Sequence, residues 1–228
     1  MKLSIIIPIY NEEKHLAEVL RRVRSVPYDK ELILVNDASH DATPEILAKD
    51  LAQHPENTIV LTHERNRGKG AAIRTGLKRA TGDIVIIQDA DLEYHPEEIP
   101  GILQPILDEE TNIAYGSRFM GKVEHMRLPN YIANKILAWM VSILYGQRIT
   151  DEATAYKAFK REVIQSINLT CTGFEFCPEV TAKALKMKEK IIEVPVTFNA
   201  RTFCEGKKIG WRDFFIAIYV LIKFRFVK

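Results

Sequence analysis

Two aspartates separated by one residue stand directly after an apolar run, and they are the strongest candidates for chemistry in this sequence. Gln88-Asp89-Ala90-Asp91 follows the run Ile-Val-Ile-Ile at 84–87. Two carboxylates so close together repel each other and are costly to remove from water. A hard divalent cation such as Mg²⁺ or Mn²⁺ relieves that cost and keeps coordination positions open for phosphate oxygens. The alternative is a solvated acidic loop that caps the next helix.

Other polar segments near this pair could contribute to the same site. Glu93 is a third acid, able to bind a cation directly or to orient a water. The segment 35–41 reads VNDASHD, whose short polar side chains can bind a nucleobase or ribose or can form Asx turns. The glycine-rich segment 66–72 reads NRGKGAA and opens a predicted helix, a geometry suited to nucleotide contact. Neither GxxxxGK[ST] nor GxGxxG occurs, which argues against a P-loop ATPase or an ordinary dinucleotide oxidoreductase.

Parallel strands would bring these segments together, and the first half of the chain has the alternation that builds such a sheet. Apolar runs without polar alternation indicate parallel strands buried on both faces. We predict an α/β fold, Rossmann-like and doubly wound, with a mostly parallel sheet, helices on both faces, and ligands beyond the carboxyl ends of its strands. The predicted strands lie at 3–9, 31–35, 58–61, 83–88 and 112–115, and the predicted helices at 12–23, 44–52, 70–79 and 96–107.

The second half of the chain is less regular. Helices are predicted at 131–145 and 177–187, a strand at 193–198, and an irregular stretch at 150–159. Prolines mark two helix starts in the first half, with Thr43 as the N-cap before Pro44 and His95 as the N-cap before Pro96. Because no linker or repeat is present, we predict a single domain spanning 1–228.

Composition narrows the functional classes. The chain has 32 basic and 30 acidic residues, which excludes a polybasic nucleic-acid coat protein. Its three cysteines form no CxxC pair, and this favours a reducing compartment. No apolar run reaches the roughly 20 residues that a membrane-spanning helix needs. Residues 200–228 carry a net charge of +5 among aromatic residues, which fits either an interfacial segment on an anionic membrane or a helix packed on the core.

The combined motifs resemble the inverting GT-A glycosyltransferases of family 2. The match covers nearly the whole chain, and the segments 173–179, 193–195 and 205–209 (GFEFCPE, EVP, EGKKI) point to its branch of polyprenyl-phosphate sugar synthases, which are dolichyl-phosphate mannosyltransferase-like. Three motifs depart from the usual pattern: VDDGSTD reads VNDASHD, TDMETGYK reads TDEATAYK at 150–157, and His95 stands where Asp is more common. The segments that carry the resemblance are PIYNEE, VNDASHD, NRGKGAAIRTG, QDADLEYHPEE, YGSRF, TDEATAYKAF, GFEFCPEVTAK and EVPVTFNARTFCEGKKIGWRD.

The resemblance implies transfer of a hexose from a nucleotide diphosphate sugar, GDP-mannose or UDP-glucose, to a polyprenyl or dolichyl phosphate with inversion. Residues 1–117 would form the nucleotide-sugar-binding half and residues 118–228 the acceptor half. A metal ion, Mg²⁺ or Mn²⁺, would be held by Asp89, Asp91 and Glu93. Arg201 and Lys207 would close over the same diphosphate. The donor would lie against Pro8, Tyr10, Glu12, Asp37, Lys69, Gln88, Asp89 and Ala90.

The acceptor is the second half of the expected reaction. A phosphate monoester is largely ionised near neutral pH, so it needs positioning cations and no general base. Arg118, in the motif YGSRF, is the first candidate and Arg127 the second. The expected catalytic set is Asp91, Arg118, Arg201 and Lys207. The alternative for Arg118 is a surface arginine paired with a nearby acid.

Two other functions stay open from the sequence. A family 2 enzyme with a saccharide or protein hydroxyl acceptor would need a base, for which Asp151 and Glu175 are candidates. A sugar nucleotidyltransferase or a non-catalytic sugar-nucleotide binder is a further alternative. His63 and His125 are interpreted as structural or exposed residues.

The expected setting follows from the lipid acceptor. The apolar helix at 131–145 and the segment 211–226 become candidates for docking to a membrane surface. We expect a cytoplasmic protein, peripheral on the cytoplasmic face of a membrane, with an integral membrane partner as a further expectation and with no nucleic-acid partner.

Overall fold

The computed structural model describes residues 1–200 and 210–227, and within them a central sheet of seven strands. The strands lie in the order β3-β2-β1-β4-β6-β5-β7. All neighbouring pairs are parallel except those of β6, which is antiparallel to both β4 and β5. In chain order the strands are β1 (Leu3–Ile9), β2 (Lys30–Asn36), β3 (Thr58–Thr62), β4 (Ile84–Ile87), β5 (Ile113–Glu124), β6 (Lys157–Lys160) and β7 (Ile191–Asn199).

Helices cover both faces of this sheet. A short 3-10 turn at Pro96–Glu98 has His95 as its N-cap, the residue predicted to start this helix, and it leads directly into α4 (Ile99–Leu107), whose own N-cap is Glu98. In the described parts of the chain the helices are α1 (Leu16–Arg24), α2 (Thr43–Gln53), α3 (Lys69–Leu77), α4 (Ile99–Leu107), α5 (Leu128–Tyr145), α6 (Arg161–Ser166), α7 (Phe176–Lys186) and α8 (Trp211–Phe226).

The apolar strands separate two layers of core. Successive side chains of a strand point to opposite faces, so Ile5 and Ile7 of β1 pack with α1 and α4, while Ile6 packs with α3 and α7. All of these side chains are fully buried. The continuous apolar runs of β1, β2 and β4 were predicted to be strands buried on both faces. The structure confirms this, because helices cover both faces of the sheet.

The structure differs from the sequence prediction in the second half and at one helix start. Residues Lys157–Lys160, predicted as irregular, form β6 between β4 and β5. The prediction of Thr43 as an N-cap was wrong, because α2 begins at Thr43 with Ala42 as the cap. The Thr43 hydroxyl instead accepts a hydrogen bond from the Glu12 N–H at 3.0 Å. This contact ties the start of α2 to the loop after β1.

Helices α5 and α8 pack against each other and against α7 through one apolar cluster. Leu137 and Val141 of α5 meet Val220 and Leu221 of α8 in this cluster. The opposite sides of both helices are apolar as well, and they face solvent. We call this surface the α5–α8 face; it comprises Leu128, Ile132, Ile136, Trp139 and Ile143 of α5 and Trp211, Phe215, Tyr219, Ile222 and Phe226 of α8. Nowhere in the described ranges is a helix both long and apolar enough to cross a membrane.

Candidate functional site

A cleft of about 330 Å³ opens at the carboxyl ends of β1, β2 and β4. This is the edge at which doubly wound sheets bind ligands. The structure brings most of the predicted site residues together here: Pro8, Tyr10, Glu12, Asp37, Lys69, Asp89, Ala90, Asp91 and Glu93 all line the cleft. Four separate loops contribute these residues. The fold therefore brings the segments after the strands together at one edge of the sheet, as predicted.

One wall of the cleft carries the acidic pair. Asp91 is buried, and its Oδ1 accepts a hydrogen bond from the Glu93 N–H at 3.1 Å. Asp89 forms an ion pair with Lys69, with Nζ and Oδ1 2.5 Å apart. Burial acts to lower the pKa of Lys69, but the nearby acidic groups, Asp89 first among them, together raise it above its ordinary value. Lys69 is therefore a fixed cation beside the acids, at the first residue of α3.

The donor atoms of this wall fit a divalent cation that is shared with a substrate. Magnesium is commonly held by one or two protein carboxylates, with waters and substrate phosphates as the remaining ligands. Asp89 and Asp91 supply two carboxylates on the same cleft wall. Within residues 1–200 and 210–227, no group of three or more His, Cys, Asp or Glu forms a complete protein cage. Glu93 as a third ligand stays a prediction.

The glycine-rich loop is held in place by a buried aspartate. Asp37 accepts hydrogen bonds from the backbone N–H groups of Arg67 (2.8 Å) and Gly68 (2.7 Å) and from the His63 ring (2.6 Å). His63 is buried and bonded on its other nitrogen to Thr75, in agreement with a structural role. Asp37 thus shapes the cleft through the loop, in addition to lining it.

The segment after β2 explains one departure from the usual motif. Ala38 has a φ of 60°, a left-handed conformation that glycine adopts at lower cost. The Asx turn that the sequence left as one option is formed by Asp41, whose Oδ1 accepts the Thr43 N–H at 3.0 Å. Asn36 stabilises the turn around Ala38, because its Oδ1 accepts the Ser39 N–H, three residues on, at 2.9 Å. The backbone turn that a glycine usually provides is therefore retained with an alanine.

The close approach of this loop to the segment before α7 gives a stability prediction. Gly68 has a φ of 91°, and a Cβ there would lie 2.5 Å from the Thr172 carbonyl oxygen. We expect Gly68→Ala to lower the free energy of unfolding by about 1–3 kcal/mol and to weaken nucleoside diphosphate binding. Chemical denaturation and titration calorimetry measure both effects.

Gly101→Ala is the matched control. Gly101 lies in α4, and a Cβ there would have no heavy atom within 4 Å. This variant should be unchanged in binding and more stable by about 0.5–1 kcal/mol. Equal effects of the two substitutions would contradict the contact between Gly68 and Thr172.

Gln88 is placed differently from its predicted role. It is fully buried, and the lining of the cleft does not include it. Its amide donates to the Asp89 carbonyl at 2.9 Å, and its Oε1 accepts the Tyr156 hydroxyl at 2.7 Å. Gln88 therefore fixes the backbone that carries Asp89 and Asp91. The prediction that Gln88 contacts the nucleotide sugar directly is corrected to this positioning role.

Arg118 is the central residue of a second, buried polar group. It is 6% exposed, and its guanidinium forks onto Asp151 with distances of 2.6 and 2.7 Å. Burial opposes the charge of Arg118, but Asp151 raises its pKa, so it stays a cation. The alternative interpretation of Arg118 was a surface arginine paired with a nearby acid. Its surface position is wrong, because Arg118 is buried, but the pairing with an acid is present. Asp151 is fully buried in this pair, which leaves it unsuited to act as a general base.

Arg118 is connected to the cleft through β7, by a cation–π contact and a backbone hydrogen bond. The guanidinium carbon lies 5.1 Å from the centre of the Phe198 ring. The next residue in β7, Asn199, donates its N–H to the carbonyl of Glu93, which lines the cleft. Arg118 itself is not part of the lining. It therefore lies one layer behind the acidic wall.

The remaining predicted residues divide into three groups. Glu175 binds the N–H groups of Thr172 and Gly173 at 3.1 and 3.0 Å, so its carboxylate is occupied in a turn. Arg127 is exposed at the N-cap of α5 and His125 is exposed before it. Arg201 and Lys207 lie outside the described residues, and their roles stay predictions.

Five residues of the cleft lining were not singled out individually from the sequence: Ile9, Asn66, Gly68, Ala72 and Phe174. Phe174 comes from the segment before α7 and Ile9 from the end of β1, while Asn66 begins the glycine-rich loop. Phe174 and Asn66 belong to motifs that carried the resemblance. The sequence therefore indicated that these segments were functional, but it did not indicate which of their side chains would line the cleft. Ile9 also belongs to such a motif, PIYNEE, where it was interpreted as the last residue of the first strand.

Comparisons with known proteins agree with this geometry. Residues 4–167 match the domain described as glycosyl transferase family 2. A dolichol-phosphate mannosyltransferase of Pyrococcus furiosus is 32% identical over 92% of this chain, and the chain spans 60% of that protein's length. A UDP-N-acetylglucosamine–dolichyl-phosphate N-acetylglucosaminyltransferase of Methanococcus voltae is 32% identical over 84% of this chain and 83% of its own length.

A solved structure supports the fold. Glucosyl-3-phosphoglycerate synthase of Mycobacterium tuberculosis, crystallised with Mn²⁺, UDP and phosphoglyceric acid, superposes with a TM-score of 0.76 at 20% identity. The match covers 100% of this chain and 79% of that one. The predicted fold, a GT-A arrangement around a mostly parallel sheet, is confirmed.

Proposed function

This chain belongs to glycosyl transferase family 2, and from that membership we propose that it transfers a hexose from a nucleotide diphosphate sugar to a polyprenyl or dolichyl phosphate with inversion. The single observation that carries the proposal is the cleft at the strand ends, where Asp89, Asp91 and Lys69 meet the glycine-rich loop. Relatives named as dolichol-phosphate and dolichyl-phosphate sugar transferases support the acceptor class. GDP-mannose and UDP-glucose are the proposed donors.

The reaction exchanges one bond at the anomeric carbon of the sugar. An oxygen of the acceptor phosphate forms the new C–O bond on one face, and the bond to the nucleoside diphosphate breaks on the other, which inverts the configuration. The chief demands on the protein are in-line placement and stabilisation of charge on the leaving diphosphate. Lys69 supplies a fixed positive charge in the cleft for that diphosphate.

A divalent cation is proposed as the second source of positive charge. Mg²⁺ or Mn²⁺ held by Asp89 and Asp91 would neutralise negative charge on the leaving group. Two carboxylates in the cleft wall support this, and the structural neighbour crystallised with Mn²⁺ and UDP is consistent with it. Arg201 and Lys207 are proposed to close over the same diphosphate from the segment that follows β7.

The acceptor phosphate requires cations and no base. This agrees with the two carboxylates that the sequence offered as bases, because both are occupied by other groups. Asp151 is committed to Arg118 and Glu175 to a turn, so neither carboxylate is available to remove a proton. Arg118 is proposed to attract the acceptor phosphate from its position behind the acidic wall. Arg127, exposed at the start of α5, is the proposed second contact.

The α5–α8 face is proposed to dock on an anionic membrane surface, which would place the chain peripherally on the cytoplasmic leaflet. Trp139 is 65% and Tyr219 62% exposed on this face. Basic residues border the aromatic ones: Lys223 lies 6.0 Å from the Tyr219 ring centre, and the Arg212 guanidinium 5.6 Å from that of Trp211. Apolar side chains with basic neighbours suit a surface of acyl chains and anionic head groups.

A double substitution tests this docking. Trp139→Ser with Tyr219→Ser removes two large exposed side chains, so we expect binding to vesicles of phosphatidylcholine and phosphatidylglycerol to fall by at least about tenfold in a sedimentation assay. Transfer to a short-chain, water-soluble acceptor phosphate without vesicles should be unchanged, because neither residue lines the cleft. Unaltered vesicle binding would contradict docking through this face.

The proposed function itself is tested by where the product partitions. Purified protein is incubated with radiolabelled GDP-mannose or UDP-glucose, polyprenyl phosphate and Mn²⁺, and the mixture is extracted with organic solvent. The proposal predicts label in the organic phase that depends on the protein and on the acceptor. Label only in an aqueous product would instead support a saccharide or protein hydroxyl as acceptor.

A further inference from the structure

Glu152 is a buried acid that none of the steps above uses. It is fully buried, and neither of its carboxylate oxygens has a hydrogen-bond partner. It lies in the segment between α5 and β6, next to Asp151, which holds Arg118. An ionised carboxylate without hydrogen bonds is costly to bury, so the surroundings must supply either a counter-ion or a proton.

The charges packed around Glu152 do not balance if every group is ionised. Arg118 of β5 and Lys157 of β6 are the cations, and Asp151, Glu152 and Glu193 of β7 are the carboxylates. Among the described residues, these three acids against two bases leave one excess negative charge in the interior. Tyr115 of β5 and Cys177 of α7 also face this group, and burial raises the pKa of both, so they do not add positive charge.

Lys157 does not supply Glu152 with a hydrogen bond from its ammonium group. Its Nζ donates to the Glu152 backbone carbonyl at 2.7 Å and lies 3.6 Å from the centre of the Tyr115 ring. Burial lowers the pKa of Lys157 despite the nearby acids. The lysine is therefore fixed by a carbonyl and an aromatic ring rather than by the carboxylate.

The excess charge is removed most easily at Glu152. Burial raises the pKa of Glu193 too, but Glu193 accepts two backbone N–H groups, from Thr150 at 2.6 Å and from Asp151 at 2.8 Å, and these bonds oppose the rise because they favour its ionised form. Asp151 is bonded to a guanidinium on both oxygens. Glu152 has neither kind of contact, and burial raises its pKa to about 7 against the opposing charge of Lys157.

We propose that Glu152 retains a proton in the active fold and that this proton keeps Arg118 on Asp151, which makes Glu152 a positioning residue for the acceptor cation. An ionised Glu152 would place a second carboxylate, with two empty acceptor positions, within electrostatic range of the guanidinium that Asp151 binds. The link to the acceptor rests on the proposed function, whereas the proton and the position of Arg118 do not.

The first test is the pH dependence of stability in Glu152→Gln, which keeps the shape of a protonated glutamate. A folded-state pKa raised above the ordinary 4.5 stabilises the fold fully below pH 4.5, and this stabilisation is lost as the pH rises to about 7. The urea midpoint of the wild type should therefore fall relative to Glu152→Gln across this window, with the ratio of unfolding constants changing on the order of a hundredfold. Glu152→Met, with the residue usual in TDMETGYK, is the second variant should the first fail to fold. A stability difference that is constant across this window would overturn the assigned proton.

The second test follows Arg118 itself, because a merely structural acid would not change its environment. The Nε–H signal of Arg118 in the nitrogen-15 NMR spectrum, identified by its loss in Arg118→Lys, should titrate with a midpoint near pH 7 in the wild type and stay constant in Glu152→Gln. The same titration in both proteins would overturn the positioning role. If no transfer to polyprenyl phosphate is detected, the proposed function fails, while these two readouts still decide the inference.

Discussion

Asp91→Asn should abolish transfer while the protein stays folded. The substitution removes one of the two carboxylates of the cleft wall that would share a cation with the donor diphosphate. It keeps an oxygen in the place of the Oδ1 that accepts the Glu93 N–H, so the local turn is retained. Because the missing charge acts where the leaving group develops negative charge, we expect turnover to fall by about 10³-fold or more. Initial rates with saturating Mn²⁺ and both substrates measure this.

Asp108→Asn is the matched control for this prediction. Asp108 is an exposed aspartate at the end of α4 that accepts a hydrogen bond from Gln104 and lies outside the cleft lining. Its loss should leave both turnover and the dependence on Mn²⁺ unchanged. Near-wild-type turnover of Asp91→Asn, with a normal circular dichroism spectrum, would remove Asp91 from the proposed cation site.

Arg118→Met should lower both stability and the use of the acceptor. Removal of the guanidinium leaves the Asp151 carboxylate buried and uncompensated, which costs about 3–5 kcal/mol in the free energy of unfolding. Loss of the positive charge that attracts the acceptor phosphate from behind the acidic wall should raise the KM for the acceptor by at least about tenfold. Urea denaturation and acceptor titration at saturating donor measure the two effects.

A double substitution separates these two roles of Arg118. Adding Asp151→Asn removes the orphaned charge but keeps an oxygen for the Arg118 backbone N–H, which is bound at 2.9 Å. We expect the double variant to recover most of the lost stability and none of the lost acceptor affinity. Recovery of both would show that Arg118 only supports the fold, and would exclude it as the acceptor cation.

The cleft could be predicted from the sequence because its residues follow strand ends. Continuous apolar runs fixed the parallel strands, and parallel strands place their carboxyl ends along one edge of the sheet. Asp89, Asp37 and Tyr10 therefore had to converge, whatever the details of the loops. The same argument fails for Phe174, which reaches the cleft from a loop before α7 with no strand to place it.

The buried polar group behind the cleft could not be predicted, for a different reason. Its members come from three strands and from the segment 150–157, which the sequence showed as irregular. An arginine and an aspartate more than thirty residues apart have no local pattern that pairs them, so Asp151 read as a possible base and Arg118 as a possible surface residue. The tertiary structure brings them together: Glu193 of β7 accepts the Asp151 N–H at 2.8 Å, and β7 is paired with β5, which carries Arg118.

The burial of Glu152 could not be predicted from the sequence either. An acid within a polar segment is ordinarily exposed, and burial of such a residue without hydrogen bonds runs against its intrinsic preference. The usual motif TDMETGYK has an apolar residue at this position, and that difference was the one available signal. It became informative only when the structure showed both carboxylate oxygens without a partner.

The most direct test of the central claim compares two acceptors that differ in one group. Polyprenyl phosphate and the corresponding polyprenol are each incubated with the protein, Mn²⁺ and the nucleotide sugar, and the lipid product is quantified together with its anomeric configuration. The account predicts transfer to polyprenyl phosphate alone, with the configuration of the donor inverted, because a phosphate needs no base and the two candidate bases, Asp151 and Glu175, are occupied by other groups. Equal transfer to polyprenol, or retention of the donor configuration, would contradict it.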